Sequence, residues 1–137
     1  MLTIAAASLV FILDVASKRA VRLLPRTSYG LIPGLRVRRV QTVRAAFSRT
    51  RGRAGLVLTW LIALTSAVVL IGSGRTFETV IGQFGVGAAL GGALGNLFDV
   101  LRRRAITDFL DLGWWPVFNL ADVGIVAGLV LAFWPMV

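Results

Sequence analysis

Residues 79–98 read TVIGQFGVGAALGGALGNLF, twenty consecutive residues without a charge, followed by Asp99. About 20 predominantly apolar residues in a helix cross a bilayer core, so this stretch predicts a membrane helix over 79–99. Gly87, Gly91 and Gly95 recur at spacing four, with Ala88 and Gly92 alongside. Small residues one turn apart let membrane helices approach closely, which predicts a packing face and a central place for this helix. Outward from it, residues 54–74 (AGLVLTWLIALTSAVVLIGSG) form a second uncharged run, and residues 112–137 are broken only by Asp122. Residues 1–24 are apolar to Leu13 and then carry Asp14, Lys18 and Arg19. A cleavable signal peptide has its basic residues before the apolar run; here they follow it, so an uncleaved helix is expected. The fold expected is an all-α membrane protein, a single integral domain over 1–137. Its four-transmembrane-helix bundle has helices at about 1–24, 54–74, 79–99 and 116–136. Between the first two helices, residues 25–53 are basic and rich in β-branched residues, which suggests a small extramembrane β-structured loop or an interfacial segment. Residues 100–111 read as a short polar loop, and Trp114 and Trp115 as an interfacial aromatic belt at the start of the last helix.

Composition narrows the chemistry. The 137 residues are 57% hydrophobic with a mean hydropathy of +0.83, above the roughly 45–50% apolar content of soluble domains. Without Cys there is no disulfide, thiolate nucleophile or Cys-based metal site, and without His the commonest metal ligand and triad base are missing. No metal and no cofactor are expected. Lys+Arg outnumber Asp+Glu 15 to 6, for a net charge of +9. Apolar stretches separate the arginines, so membrane phospholipid is the expected partner rather than nucleic acid.

Hydrolysis, if the chain performs it, falls to the six acids. Asp99 ends the third predicted helix three residues after Asn96, and Asp122 follows Asn119 by three, each pair on one helical face. A charge at bilayer depth costs about 2.5–3.5 kcal/mol even on lenient scales, so such residues face the bundle interior. Asp99 has basic neighbours in Arg102 and Arg103, whereas no basic residue follows Asp122. The predicted topology puts Asp14, Asp99, Asp108 and Asp122 near one membrane face and Glu78 at the other. Two carboxylates sharing a proton can activate water without Cys, His or metal.

These residues resemble the lipoprotein signal peptidases (signal peptidase II), four-helix intramembrane aspartic proteases. That family carries Gly-Asn-x-x-Asp-Arg, Val-x-Asp-Phe and Phe-Asn-x-Ala-Asp. This chain has Gly95-Asn96-Leu97-Phe98-Asp99, Ile106-Thr107-Asp108-Phe109 and Phe118-Asn119-Leu120-Ala121-Asp122, with Asp14-Val15-Ala16-Ser17-Lys18 matching the first-helix Asp-x-x-x-Lys. The similarity is dense over residues 85–133. The resemblance implies Asp108 and Asp122 as the catalytic dyad. Asp14, Lys18, Asn96, Asp99, Asn119 and Ala121 would then bind substrate or support the dyad. It implies a monomer in the bacterial inner membrane that cuts lipid-modified precursor proteins N-terminal to the lipobox Cys.

Three features depart from that pattern. Val100 stands where the family has Arg. The nearest match to Asn-x-Gly-x-Ala-Phe is Thr42-Val43-Arg44-Ala45-Ala46-Phe47, and Asp122 follows Asp108 by only fourteen positions. They motivate an alternative, a diverged non-cleaving paralogue that binds lipoproteins or a peptide inhibitor. A small transporter or proton-relay subunit is a third reading, since intramembrane acids serve there too. Residues 18–53 and 102–104 hold 14 of the 15 Lys+Arg on the dyad side. The positive-inside rule would turn that side to the cytoplasm; the resemblance implies an active site near the outer face, and the expectation follows the resemblance.

Overall fold

A computed structural model describes residues 1–25, 29–41, 65 and 79–134. The apolar run at 54–74, the connection at 75–78 and the motif at 42–47 lie outside the described residues. In chain order the elements are α1 (Leu2–Leu23), β1 (Tyr29–Ile32), β2 (Leu35–Gln41), α2 (Val80–Arg103), β3 (Thr107–Asp111) and α3 (Leu120–Phe133).

The described residues are mostly helical, and α2 packs against both α1 and α3. Glycine makes this approach feasible. A Cβ at Gly87 or Gly91 would run into the α1 backbone at Thr3 or Ala7, and one at Gly85 or Gly92 into the α3 backbone at Ala132 or Ala121. α2 thus has two small-residue faces about a quarter-turn or more apart, one for each neighbour. The spacing-four stripe is the α1 face.

What lies inside and outside is inverted relative to a water-soluble domain. The buried residues include Ala6, Ala88, Ala121 and Ala132 together with Asp14, Lys18, Asp99, Thr107, Asp108 and Asn119. Ile4, Leu9, Ile12, Leu90, Leu94, Val126 and Val130 are exposed. Large aliphatic side chains facing outward over a small and polar interior suit a hydrocarbon solvent, which gives apolar side chains no reason to cluster. Among the described residues, α2 is the one helix long and apolar enough to cross a membrane by length and composition. α3 is a shorter apolar helix, and α1 carries its charged residues within its span.

Three boundaries differ from the sequence expectation. α2 continues through Val100 to Arg103 instead of ending at 99, and Arg104 caps it with a left-handed backbone (φ 54°). Leu and Arg favour helix, and Arg102 and Arg103 in the last turn complement the negative end of the helix dipole. Residues 107–111 of the expected loop form strand β3, which pairs antiparallel with β2, as β2 does with β1. The β-structure expected within residues 25–53 therefore extends to a third strand beyond them, and the described residues are mostly helical with a small antiparallel sheet. α3 starts at Leu120, not 116, because Phe118 is held extended: its N–H donates to the Leu110 carbonyl at 3.0 Å, and its carbonyl accepts from Phe109 and Leu110. Trp114 and Trp115 consequently sit on the exposed connection before the helix.

A side chain on the α1 face of α2 is expected to force the helices apart. Gly91→Leu should lower stability by about 1–3 kcal/mol or more, read as the unfolding midpoint in mixed detergent, whereas Leu90→Ala on the exposed face should change it little.

Candidate active site

α3 begins with the sequence Asn-x-x-Asp, and that is a reciprocal cap. The Asp122 N–H donates to Asn119 Oδ1 at 3.0 Å and the Asn119 N–H donates to Asp122 Oδ2 at 3.1 Å. Two orphan donors of the helix start are satisfied in this way. The same exchange fixes the Asp122 carboxylate and leaves the Asn119 amide nitrogen free to point elsewhere. It donates to Asp108 Oδ1 at 2.7 Å and to Asn96 Oδ1 at 3.2 Å. Asn119 thus bonds both Asp122 and Asp108, from its backbone and its side chain.

Asn96 on α2 closes the network. Its Nδ2 donates to Asp122 Oδ1 at 2.9 Å, and its Oδ1 accepts from Lys18 Nζ at 2.9 Å. A lysine ammonium only donates, so this contact sets which way the amide faces: oxygen to Lys18, nitrogen to Asp122. Lys18 also lies 2.7 Å from Asp14 Oδ2 and 3.6 Å from Asp99 Oδ2. Asp14 Oδ1 accepts from the Ala121 N–H at 2.9 Å, so the first turn of α3 is tied to α1. Asp14 and Lys18 are 0% and 1% exposed, and a glycine at position 95 leaves room for the Asp14 carboxylate.

All eight residues singled out in the sequence therefore converge: Asp14, Lys18, Asn96, Asp99, Asp108, Asn119, Ala121 and Asp122. The expected crowding of four carboxylates is relieved by Lys18, by amide donors, and by cations around Asp99. Asp99 meets Lys18, Arg22 at 3.5 Å and Arg103 at 3.8 Å; Arg103 was expected from its spacing. Asp122, which has no basic residue after it in the chain, has amide partners instead. Asp108 lies on strand β3 rather than in a loop, opposite Val40 of β2.

Two residues of this cluster were not singled out. Arg22 reaches Thr107 Oγ1 at 3.3 Å, and the Thr107 N–H donates to Asp99 Oδ2 at 3.2 Å. The spacing Asp14, Lys18, Arg22 keeps all three on one face of a helix, a signal hidden by the other arginines nearby. Among the described residues no cluster of acids could hold a metal ion.

A family model for signal peptidase (SPase) II matches residues 6–137. The chain belongs to the signal peptidase II family. Signal peptidase II relatives include the lipoprotein signal peptidase of Syntrophomonas wolfei subsp. wolfei, 42% identical over 126 residues that cover 90% of this chain and 84% of that one. The Mycobacterium avium (strain 104) lipoprotein signal peptidase is 37% identical over 142 residues, covering 95% and 75%. That of Rhodococcus jostii (strain RHA1) is 43% identical over 104 residues, covering 69% of this chain. The chain spans only half the length of the Rhodococcus relative. The fold is similar to that of a bacterial membrane enzyme solved in meso at 1.9 Å resolution, with a TM-score of 0.70 and 24% identity over 94% of this chain and 88% of that one. A signal peptidase II fold thus surrounds a polar cluster built from α1, α2, β3 and α3.

The buried pair at its base makes a sharp prediction. Removing only the cation strands a buried carboxylate, at a cost of about 3–5 kcal/mol. Lys18→Met should therefore destabilise the protein more than the double change Asp14→Asn with Lys18→Met, as measured by unfolding in mixed detergent.

Proposed function

We propose that this chain is an intramembrane aspartic endopeptidase that removes the signal peptide from diacylglyceryl-modified prolipoproteins, N-terminal to the lipobox Cys. Membership of the signal peptidase II family supports the reaction class. The observation that carries the site is Asn119, which bonds Asp108 and Asp122 at once. In this reading the two acids form the dyad. One carboxylate takes a proton from water as the water oxygen adds to the scissile carbonyl carbon. The other gives its proton to the developing oxyanion. When the tetrahedral intermediate collapses, the first carboxyl gives the proton it took from water to the nitrogen, the second takes its own proton back from a hydroxyl of the intermediate, and the C–N bond breaks to free the amine of the lipid-modified Cys. The signal segment departs with a new carboxyl group.

The remaining residues hold this geometry. Asn96 and Asn119 restrict the two carboxyl groups through their amide donors. Lys18, Asp14 and Asp99 sit behind them and balance charge. Ala121, whose N–H is engaged by Asp14, sets the first turn of α3. The lipid of the substrate stays in the bilayer while the backbone reaches the dyad.

We place the chain in the bacterial inner membrane as a single integral domain with four helices. Bilayer phospholipid is its solvent, and it acts as a monomer. The dyad faces the outer leaflet, where lipoprotein precursors present their lipobox after export. The aromatic pair Trp114 and Trp115, 78% and 56% exposed on the connection between β3 and α3, suits the membrane–water interface.

Asp108→Asn and Asp122→Asn keep shape and remove the acid. Each is expected to insert normally and to lower cleavage at least about 100-fold, so that diacylglyceryl-modified precursor accumulates in cells depending on the variant. Processing at the wild-type rate in either variant contradicts the assignment of the dyad.

A further inference from the structure

Arg22 lies in none of the matched motifs, yet through it α1 reaches the strand that carries Asp108. Its Nη1 donates to Thr107 Oγ1 at 3.3 Å and lies 3.5 Å from Asp99 Oδ1. The other Asp99 oxygen accepts the Thr107 N–H at 3.2 Å. Thr107 is thus gripped twice, by its hydroxyl and by its backbone. Thr107 and Asp99 are buried, and the Arg22 side chain is only 12% exposed. Arg39 of β2 donates to the Arg22 carbonyl at 3.3 Å, so the end of α1 is also tied to the strand beside β3. Arg103, the other guanidinium near Asp99, is farther away at 3.8 Å and 43% exposed.

Position 100 gives this arrangement its meaning. It is Val in this chain, so the residue after Asp99 supplies no cation. The deeply placed guanidinium facing Asp99 comes from α1 instead. Thr107 is the first residue of β3, pairs with Gln41 at the very end of β2, and follows the α2 cap by only three positions. Neighbouring strand residues point to opposite faces, so fixing Thr107 by both its side chain and its N–H sets the direction of the Asp108 side chain next to it.

We infer that Arg22 is a positioning residue, which with Asp99 clamps Thr107 and so aims Asp108 at its partner in the dyad. The inference rests on the reading of Asp108 as a catalytic carboxylate. Misplacement of a reacting group by about 1 Å costs on the order of a hundredfold in rate, so loss of the clamp acts on kcat and leaves KM within about twofold.

The test uses the full chain in detergent–lipid micelles with a diacylglyceryl-modified lipobox peptide, and compares Arg22→Met, Thr107→Val, Thr107→Ser and the Arg22→Met/Thr107→Val double variant. Thr107→Val keeps the β-branched shape and loses the hydroxyl; Thr107→Ser does the reverse. The clamp predicts a fall in kcat of about tenfold for Thr107→Val, recovery of most of that loss in Thr107→Ser, and a double variant no slower than Arg22→Met alone. A role in packing alone predicts the opposite order for the two Thr107 variants, and that order overturns the inference. So does multiplication of the two losses in the double variant, or wild-type kcat in Arg22→Met. If Arg22→Met does not fold, the two Thr107 variants decide by themselves. Asp108→Asn in the same assay separates the two failures: if it still cleaves, the dyad reading falls; if it is inactive while Arg22→Met is unaffected, only the clamp falls.

Discussion

A polar side chain buried away from water has only other parts of the protein to bond to, and the Lys18–Asp14 pair is where that constraint bears hardest. Both residues are buried, so each needs a partner. Lys18 finds Asp14, Asn96 and Asp99, and Asp14 finds Lys18 and the Ala121 N–H. Beyond the pair itself, those partners lie on α2 and α3. The need to satisfy two charges on one helix therefore fixes how three helices meet. The glycines follow from it, because the contacts close only if α2 comes within backbone distance of both neighbours.

The same economy appears at the start of α3. Asn119 and Asp122 cap a helix, a task any soluble protein gives to such residues. Here the cap also presents a carboxylate and an amide to the interior, and the amide reaches Asp108 on a strand. Local helix chemistry and site geometry are therefore one arrangement, held from behind by Asn96. The short antiparallel sheet brings Asp108 to this point, and the bridge between Leu110 and Phe118 folds the connection back so that fourteen positions suffice to join the two acids in space.

Much of this was legible in the sequence because it depends on short spacings. Asp14 with Lys18 and Asn96 with Asp99 lie four and three residues apart, so helical periodicity puts each pair on one face, while Asn119 with Asp122 has the Asn-x-x-Asp spacing of a reciprocal helix cap. The glycine stripe likewise marked α2 as central. What was not legible depends on distant partners. β3 has only five residues, and its identity as a strand comes from pairing with β2 some seventy positions earlier. That pairing turned residues 107–111 of the expected loop into a strand, and the bonds from Leu110 to Phe118 moved the start of α3 to Leu120. Arg22 was hidden for a similar reason: among many arginines, only its reach to Asp99 and Thr107 distinguishes it.

With no Cys and no His in the chain, hydrolysis of a peptide bond at the membrane has to rest on this cluster of acids and amides. The most direct measurement incubates the purified protein with a diacylglyceryl-modified lipobox peptide and follows the products by mass spectrometry. Release of the signal segment, cut immediately before the modified Cys and unaffected by metal chelators, is the predicted result. Intact peptide after prolonged incubation with protein shown to be folded, or cleavage that requires an added metal ion, would contradict it.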